Sequence, residues 1–335
     1  ISNTGDAPLS LDSIPMIRIA GENSTEFSVD ASATSATIEP SETTSFFITY
    51  TPQEPEQGDA EIIIYNNDLE QNPYNFTVTG NRWVPFSGGF GTEESPYEIA
   101  TLTDLQFLST HSFAWDKHFI QTANIDATVT NTWNVGDHDT IPETPDVAMG
   151  FLPIGTSITA FTGSYNGDGK IIGNLYINRL SDSYVGLFGQ LSGSSIHDLG
   201  ITNATISGQF GVGGLSGYAE YSEIANYYTG GQITSISSNC GGLTGTIYQS
   251  SITNCHSSAT VVVAEEEAGG LFGVTSSEDQ INNCFSTGNV SGQIRVGGLV
   301  GNAQNSGGPG GPTGVAIFTN CYSVGNVSGT DEVGG

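Results

Sequence analysis

The chain has 335 residues, more than one small core usually supports, so two domains are the starting expectation. Six Lys+Arg against 35 Asp+Glu give a formal charge of −29, which leaves almost no cation to neutralise phosphate and excludes nucleic acid and anionic membrane surfaces as partners. Forty-five Gly, many Ser, Thr and Asn, and no apolar run long enough to cross a bilayer predict an all-β chain with no direct membrane insertion in this segment.

Residues 1–82 alternate apolar and polar over 45–50, 60–65 and 75–79, with Pro, Gly and Asn turns between them. That is the pattern of an immunoglobulin-like β-sandwich. The first residues lack the basic and apolar regions of a signal peptide, which has been removed or lies upstream. Residues 83–96, rich in Gly and holding Pro85, read as a linker. Residues 97–183 read as the irregular opening of the second domain, with one helix over 103–109 and Thr103 or Asp104 as its N-cap.

From residue 184 to residue 335 the sequence repeats. Leu187, Leu215, Leu243, Leu271 and Leu299 follow one another at intervals of 28 residues, each preceded by Gly and followed two residues later by Gly189, Gly217, Gly245, Gly273 and Gly301. A second register runs through Asn226, Asn254, Asn283 and Asn320, each two residues after an Ile or Phe and followed by Tyr227, Cys255, Cys284 and Cys321. Residues 305–314, rich in Gly and Pro, read as a surface loop inserted into one repeat. Short strands with glycine corners at this period predict one coil per repeat of a parallel β-helix, successive coils pairing at about 4.8 Å. A propeller blade needs more residues than 28. On this reading the Leu column is a hydrophobic spine and the Asn column an amide ladder. The glycines serve corners that need positive φ or close approach between coils.

Little in the repeats supports chemistry. Polysaccharide lyases of this shape need a basic residue beside an acidic cluster, and hydrolases need paired carboxylates. Arg295 is the one Lys or Arg between residues 180 and 335, and Glu265, Glu266 and Glu267 read as a solvated turn at a coil corner. No catalytic residue is therefore assigned. His111, His118, His138, His197 and His256 show no zinc spacing. Asp137, Asp139, Asn166 and Asp168 are the best Ca²⁺ candidates because they place oxygens on tight turns, with Asx-turns as the competing reading. No other cofactor is expected. Apolar residues replace Cys240, Cys255, Cys284 and Cys321 at equivalent repeat positions, so the thiols read as buried and reduced. Asn23, Asn75, Asn203, Asn289 and Asn326 head N-x-S/T glycosylation sequons.

The Gly-Gly-Leu-x-Gly element with its downstream Asn-Cys-Tyr/Phe-Ser-x-Gly-x-Val-Ser-Gly, fullest at residues 283–292 and 320–329, resembles the GLUG-motif repeat of bacterial and archaeal surface proteins. Residues 91–99, 102–108, 124–126, 153–155 and 161–178 resemble the approach to such repeats in large adhesins. Residues 1–80 resemble part of an ASH/hydin-like (choice-of-anchor type) immunoglobulin domain, through Pro8, Phe27, Pro40, Pro52, Asn66 and Gly80. The resemblance implies a right-handed parallel β-helix, an extracellular, cell-surface location and an adhesive or structural role, without catalytic residues. The first reading is thus an adhesin or stalk module that binds glycan or surface protein. The second is a subunit of a filament or surface layer, binding copies of itself, and the third a polysaccharide-active enzyme. The last residues fall inside the repeat motif and the first inside the immunoglobulin-like pattern. A longer parent polypeptide is expected, with strand donation by a neighbouring subunit as the alternative.

Overall fold

The computed structural model describes residues 1–11, 13–51, 58–80, 86–136, 147–276, 278–304 and 315–334. Two compact units follow one another, Ile1–Val84 and Pro85–Gly335.

The first unit is built from antiparallel pairs, as its alternation predicts. Gly58–Ile64 turns Ala60, Ile62 and Ile64 inward and pairs with Ile17–Ala20 on one side and Tyr74–Gly80 on the other. Phe27–Asp30 pairs with Phe47–Tyr50, and Leu9–Ser10 with Thr37–Ile38. Leu11, Ile17, Ile62 and Ile64 form the buried core, with Val29, Phe46, Ile48, Phe76 and Val78 packed against them. The side chain of Asn66 braces the turn beyond Ile64, donating to the Ile64 and Gln71 carbonyls while its oxygen accepts from the Asp68 N–H.

The second unit is a parallel β-helix. One face is an eight-stranded parallel sheet that runs from Tyr97–Ile99 through His118–Gln121, Ser164–Asn166, Ser195–His197, Glu223–Ala225, Ser251–Thr253 and Gln280–Asn282 to Ile317–Thr319. The second face stacks Phe188–Ser192, Ser216–Glu220, Thr244–Tyr248, Phe272–Thr275 and Val300–Ala303. A fifteen-stranded sheet forms the third. Residues at equivalent repeat positions sit directly over one another: Val185, Val212, Cys240, Ala268, Val296 and Val333 form one column, and Ile196, Ile224, Ile252, Ile281 and Phe318 another. Leu187, Leu215, Leu243 and Leu271 are fully buried in a continuous core against which Leu299 packs. Because each coil covers its neighbour's apolar face, the sequence period becomes the axial rise of the helix.

The glycines beside the spine have ordinary φ. Close approach is what requires them: a Cβ on Gly269 would strike the Phe272 carbonyl, and one on Gly270 the Ser286 hydroxyl and the Gly298 carbonyl. Among the non-glycine residues with positive φ, Asn is the most frequent.

Two expected boundaries shift. The helix spans Leu102–Thr110 and its N-cap is Thr101, not Thr103 or Asp104; Asp104 is the third helical residue, and its carboxylate returns to the Thr101 N–H in a capping box. Within the expected 83–96 linker, Phe86 is a core residue, because Tyr97, Phe107 and Phe119 enclose its ring at centroid distances of 4.6, 5.3 and 5.3 Å. Residues 83–85, the predicted loop at 305–314 and Pro52 lie outside the described residues.

Candidate functional site

The outward side chains that recur from coil to coil form ladders. At the corner after each of the last five strands of the eight-stranded sheet, Asp198, Asn226, Asn254, Asn283 and Asn320 take φ between 53 and 57°. Asn tolerates this conformation, and here its amide also bonds along the axis. The Nδ2 of Asn254 donates to Oδ1 of Asn226 at 3.2 Å, Asn283 to Asn254 at 3.2 Å, and Asn320 to Asn283 at 3.1 Å. The predicted ladder is therefore present. Asp198 ends it, accepting from Asn226 at 2.8 Å and lying 2.8 Å from Nδ1 of His197, whose hydrogen bond, followed by that of Asn226, holds the carboxyl below its ordinary value.

Two residues beyond each Asn, the rings of Tyr228, His256, Phe285 and Tyr322 stack nearly parallel, with centroids 5.3, 4.7 and 5.2 Å apart and interplanar angles of 10, 4 and 4°. In the preceding coil the same position is Gly200, and the Tyr228 ring covers it so closely that a Cβ there would collide with it. Partial burial between neighbouring rings lowers the pKa of His256. This aromatic column was not singled out from the sequence, although its signal is plain there: every residue after the Cys column carries a ring.

A third ladder is internal. The buried Ser194, Ser222, Ser250 and Asp279 share a repeat position. The Ser194 N–H donates to the Ser222 hydroxyl at 3.3 Å and the Ser222 N–H to the Ser250 hydroxyl at 3.1 Å. Asp279 ends the row, taking the Ser250 N–H on one carboxylate oxygen at 2.9 Å and the Ser276 N–H on the other at 2.8 Å. Burial outweighs both bonds and pushes its pKa from 3.8 up to about 6.

The acidic run at 265–267 corrects the solvated-turn expectation in part. Glu265 is exposed and accepts from the Ser237 hydroxyl, but Glu267 is 8% exposed and has a φ of 67°. It shares a left-handed column with Arg295, one coil on, which places the guanidinium 3.0 Å from Glu267 Oε1 and in contact with Glu266; Asn302 Nδ2 donates to Glu267 at 2.9 Å. The chain's acidic excess makes this an informative use of a scarce cation.

At the Ca²⁺ candidates, Asn166 Oδ1 accepts from the Asp168 N–H at 2.8 Å in an Asx-turn, and the Lys170 ammonium lies 3.0 Å from the Asp168 carboxylate. Asp137 and Asp139, with His138, lie outside the described residues. Among the described residues no three His, Cys, Asp or Glu converge as a metal site. His118 meets the Ser164 hydroxyl and His111 stacks on Phe107. The four thiols are unbridged; Cys240, Cys255 and Cys284 are buried and Cys321 half-buried, with the Cys255 N–H 3.4 Å from the Cys284 sulfur. Of the sequon residues, Asn75, Asn203, Asn289 and Asn326 are exposed, while Asn23 is half-buried and accepts from the Asp59 N–H.

No protein-family model matches the chain. Over 150 residues, 44% of the chain, it is 39% identical to Halomucin of Haloquadratum walsbyi, and over 125 residues, 37% of the chain, it is 34% identical to a provisionally named Gly-rich membrane protein of Evansella cellulosilytica. These matches span 2% and 12% of the respective relatives' lengths. Among solved structures, a provisionally assigned immunoglobulin A1 protease from Bacteroides ovatus shares the fold, with a TM-score of 0.52 and 21% identity, over 73% of this chain and 80% of that one.

Proposed function

We propose that this chain is a non-catalytic module of an extracellular, cell-surface protein, acting as an adhesin or stalk whose lateral ladders contact glycan or protein. The observation that carries the reading is the register of the outward amide and aromatic columns. They offer the same pair of groups on successive coils, at a spacing suited to a repetitive ligand. Similarity to parts of Halomucin and of a Gly-rich membrane protein supports a surface location. The GLUG-like repeat and the ASH/hydin-like immunoglobulin character of residues 1–80 support the same assignment. Engagement of Arg295 by Glu266 and Glu267 supports a non-catalytic role, since a lyase base would have to be free. The module requires no cofactor for this role.

Binding of the purified chain to glycan arrays, host-matrix proteins and whole cells tests the proposal. Saturable binding to one of them is expected. Inertness toward all of them would overturn the adhesive reading in favour of a subunit of a filament or surface layer, a reading favoured by the unbroken coil-to-coil stacking. Ordered fibres containing the protein would then be seen on cells. Release of product from a glycan in the presence of Ca²⁺ would overturn the non-catalytic assignment.

A further inference from the structure

A cluster of side chains on the second face of the β-helix does not belong to the repeat. Glu220 and Tyr218 point outward from the strand Ser216–Glu220. In the neighbouring coils Tyr218 is flanked by Gln190 and Thr246, and beyond them stand Val274 and Asn302. The coil therefore does not need a ring at this position. Yet rings gather here on two sides of the Glu220 carboxylate. On one side Tyr184 lies 5.5 Å from Tyr218 at 56°, with Phe210 edge-on to Tyr184 at 6.1 Å. On the other, Tyr221 and Tyr248 meet edge to face at 5.6 Å, Tyr248 standing directly opposite Glu220 in register. Tyr221 is 57% exposed and the others are half-buried. Gly211 makes the first wall, because a Cβ there would come within 2.8 Å of the Tyr184 ring.

The carboxylate is held in place. Ser192 donates its hydroxyl to one Glu220 oxygen at 3.0 Å, and the Tyr218 hydroxyl lies 3.5 Å from the other. Two residues along a strand and one coil along the axis separate these groups by about 7 and 5 Å, the dimensions of a single sugar ring. A pyranose presents a C–H face that packs on aromatic rings and hydroxyls that donate to a carboxylate. The net charge of −29 and Glu220 itself repel uronic, sialic or sulfated sugars.

We propose that Tyr184, Tyr218, Glu220, Tyr221 and Tyr248 form a subsite for one neutral hexopyranose of a glycan. This rests on the reading of the lateral surface as a binding surface, and it adds to the amide and aromatic columns a defined sugar contact at these residues.

Saturation-transfer NMR and calorimetry of the full chain with β-1,4-linked tetramers of glucose, mannose and galactose, and with tetragalacturonate as the charged control, test it. Transfer to the C–H protons of a neutral tetramer is expected, weakened about tenfold by Tyr218→Ala or Tyr248→Ala and by Glu220→Gln, the last keeping shape and fold. Thr260→Ala, at an exposed position on the fifteen-stranded sheet outside these columns, should bind as the parent does. Undiminished binding in the Tyr218 and Glu220 variants, or preference for the galacturonate, overturns the subsite while leaving adhesion intact. Binding to protein ligands with none to any of the neutral tetramers does the same. Failure to bind glycan, protein or cell overturns both readings.

Discussion

Asp279 is the residue whose ionisation should be felt most by the fold. It is fully buried at the end of the serine row, and its pKa rises from 3.8 to about 6 because burial outweighs the two backbone N–H groups it accepts. Native protein therefore holds this proton more tightly than unfolded chain does. The associated stability is complete below pH 3.8 and is lost as pH rises through about 6. A shift of roughly two units corresponds to about 3 kcal/mol. Asp279→Asn keeps the shape of the side chain and abolishes the titration. Its absolute stability will carry an offset, since an amide offers one acceptor where the carboxylate offered two, so the pH dependence of the difference is the quantity to follow. Urea unfolding of parent and variant at intervals from pH 3.5 to 8 should show the parent losing about 3 kcal/mol relative to the variant across that range. Subtraction removes the background from the other carboxylates, which both proteins share. A difference independent of pH would refute the argument. A difference of opposite sign would mean that the two N–H groups outweigh burial and hold the carboxylate ionised.

Four further outcomes are expected. Asn283→Ala should cost about 2 kcal/mol, from a left-handed φ that Ala resists and two ladder bonds lost, whereas Asn283→Gly should recover about half because it removes only the backbone part; equal losses in denaturant titrations would discount the conformational share. Leu243→Ala, at the centre of the spine, should cost about 3 kcal/mol by the same measurement. Arg295→Ala leaves the buried Glu267 with Asn302 as its remaining side-chain donor and should cost about 2 kcal/mol, with Glu267→Gln in the same background restoring much of it. Titration of thiols after unfolding without reductant should count four, and a count of two or none would show that stacked cysteines such as Cys255 and Cys284 pair after all.

Legibility varied with how directly a residue type answers to a local need. The Leu spine and the Asn ladder could be read in advance because stacked coils repeat one environment, so spacing alone identifies equivalent positions. The Tyr228 to Tyr322 stack obeys the same rule, but its members differ chemically, and a search for repeated letters passes over His256 among Tyr and Phe. The helix N-cap was misplaced by proximity: Thr101, Thr103 and Asp104 all suit the position, and only the path of the chain shows Asp104 reaching back to Thr101. Phe86 looked like linker because Pro85 precedes it and glycines follow at 88, 89 and 91, and its burial depends on rings at residues 97, 107 and 119.

By itself the sequence determined that this chain is all-β, that its second part is a parallel coil with one turn per repeat, and which residues face the core, because period and hydrophobic pattern are local and additive. Tertiary structure alone decided where the exceptional residues meet. Glu267 and Arg295 are 28 residues apart in sequence yet paired, Asp279 takes the place of a serine in a buried row, and rings from three successive coils gather around Glu220. Their neighbours come from other coils, whose side chains at those positions no repeat period specifies.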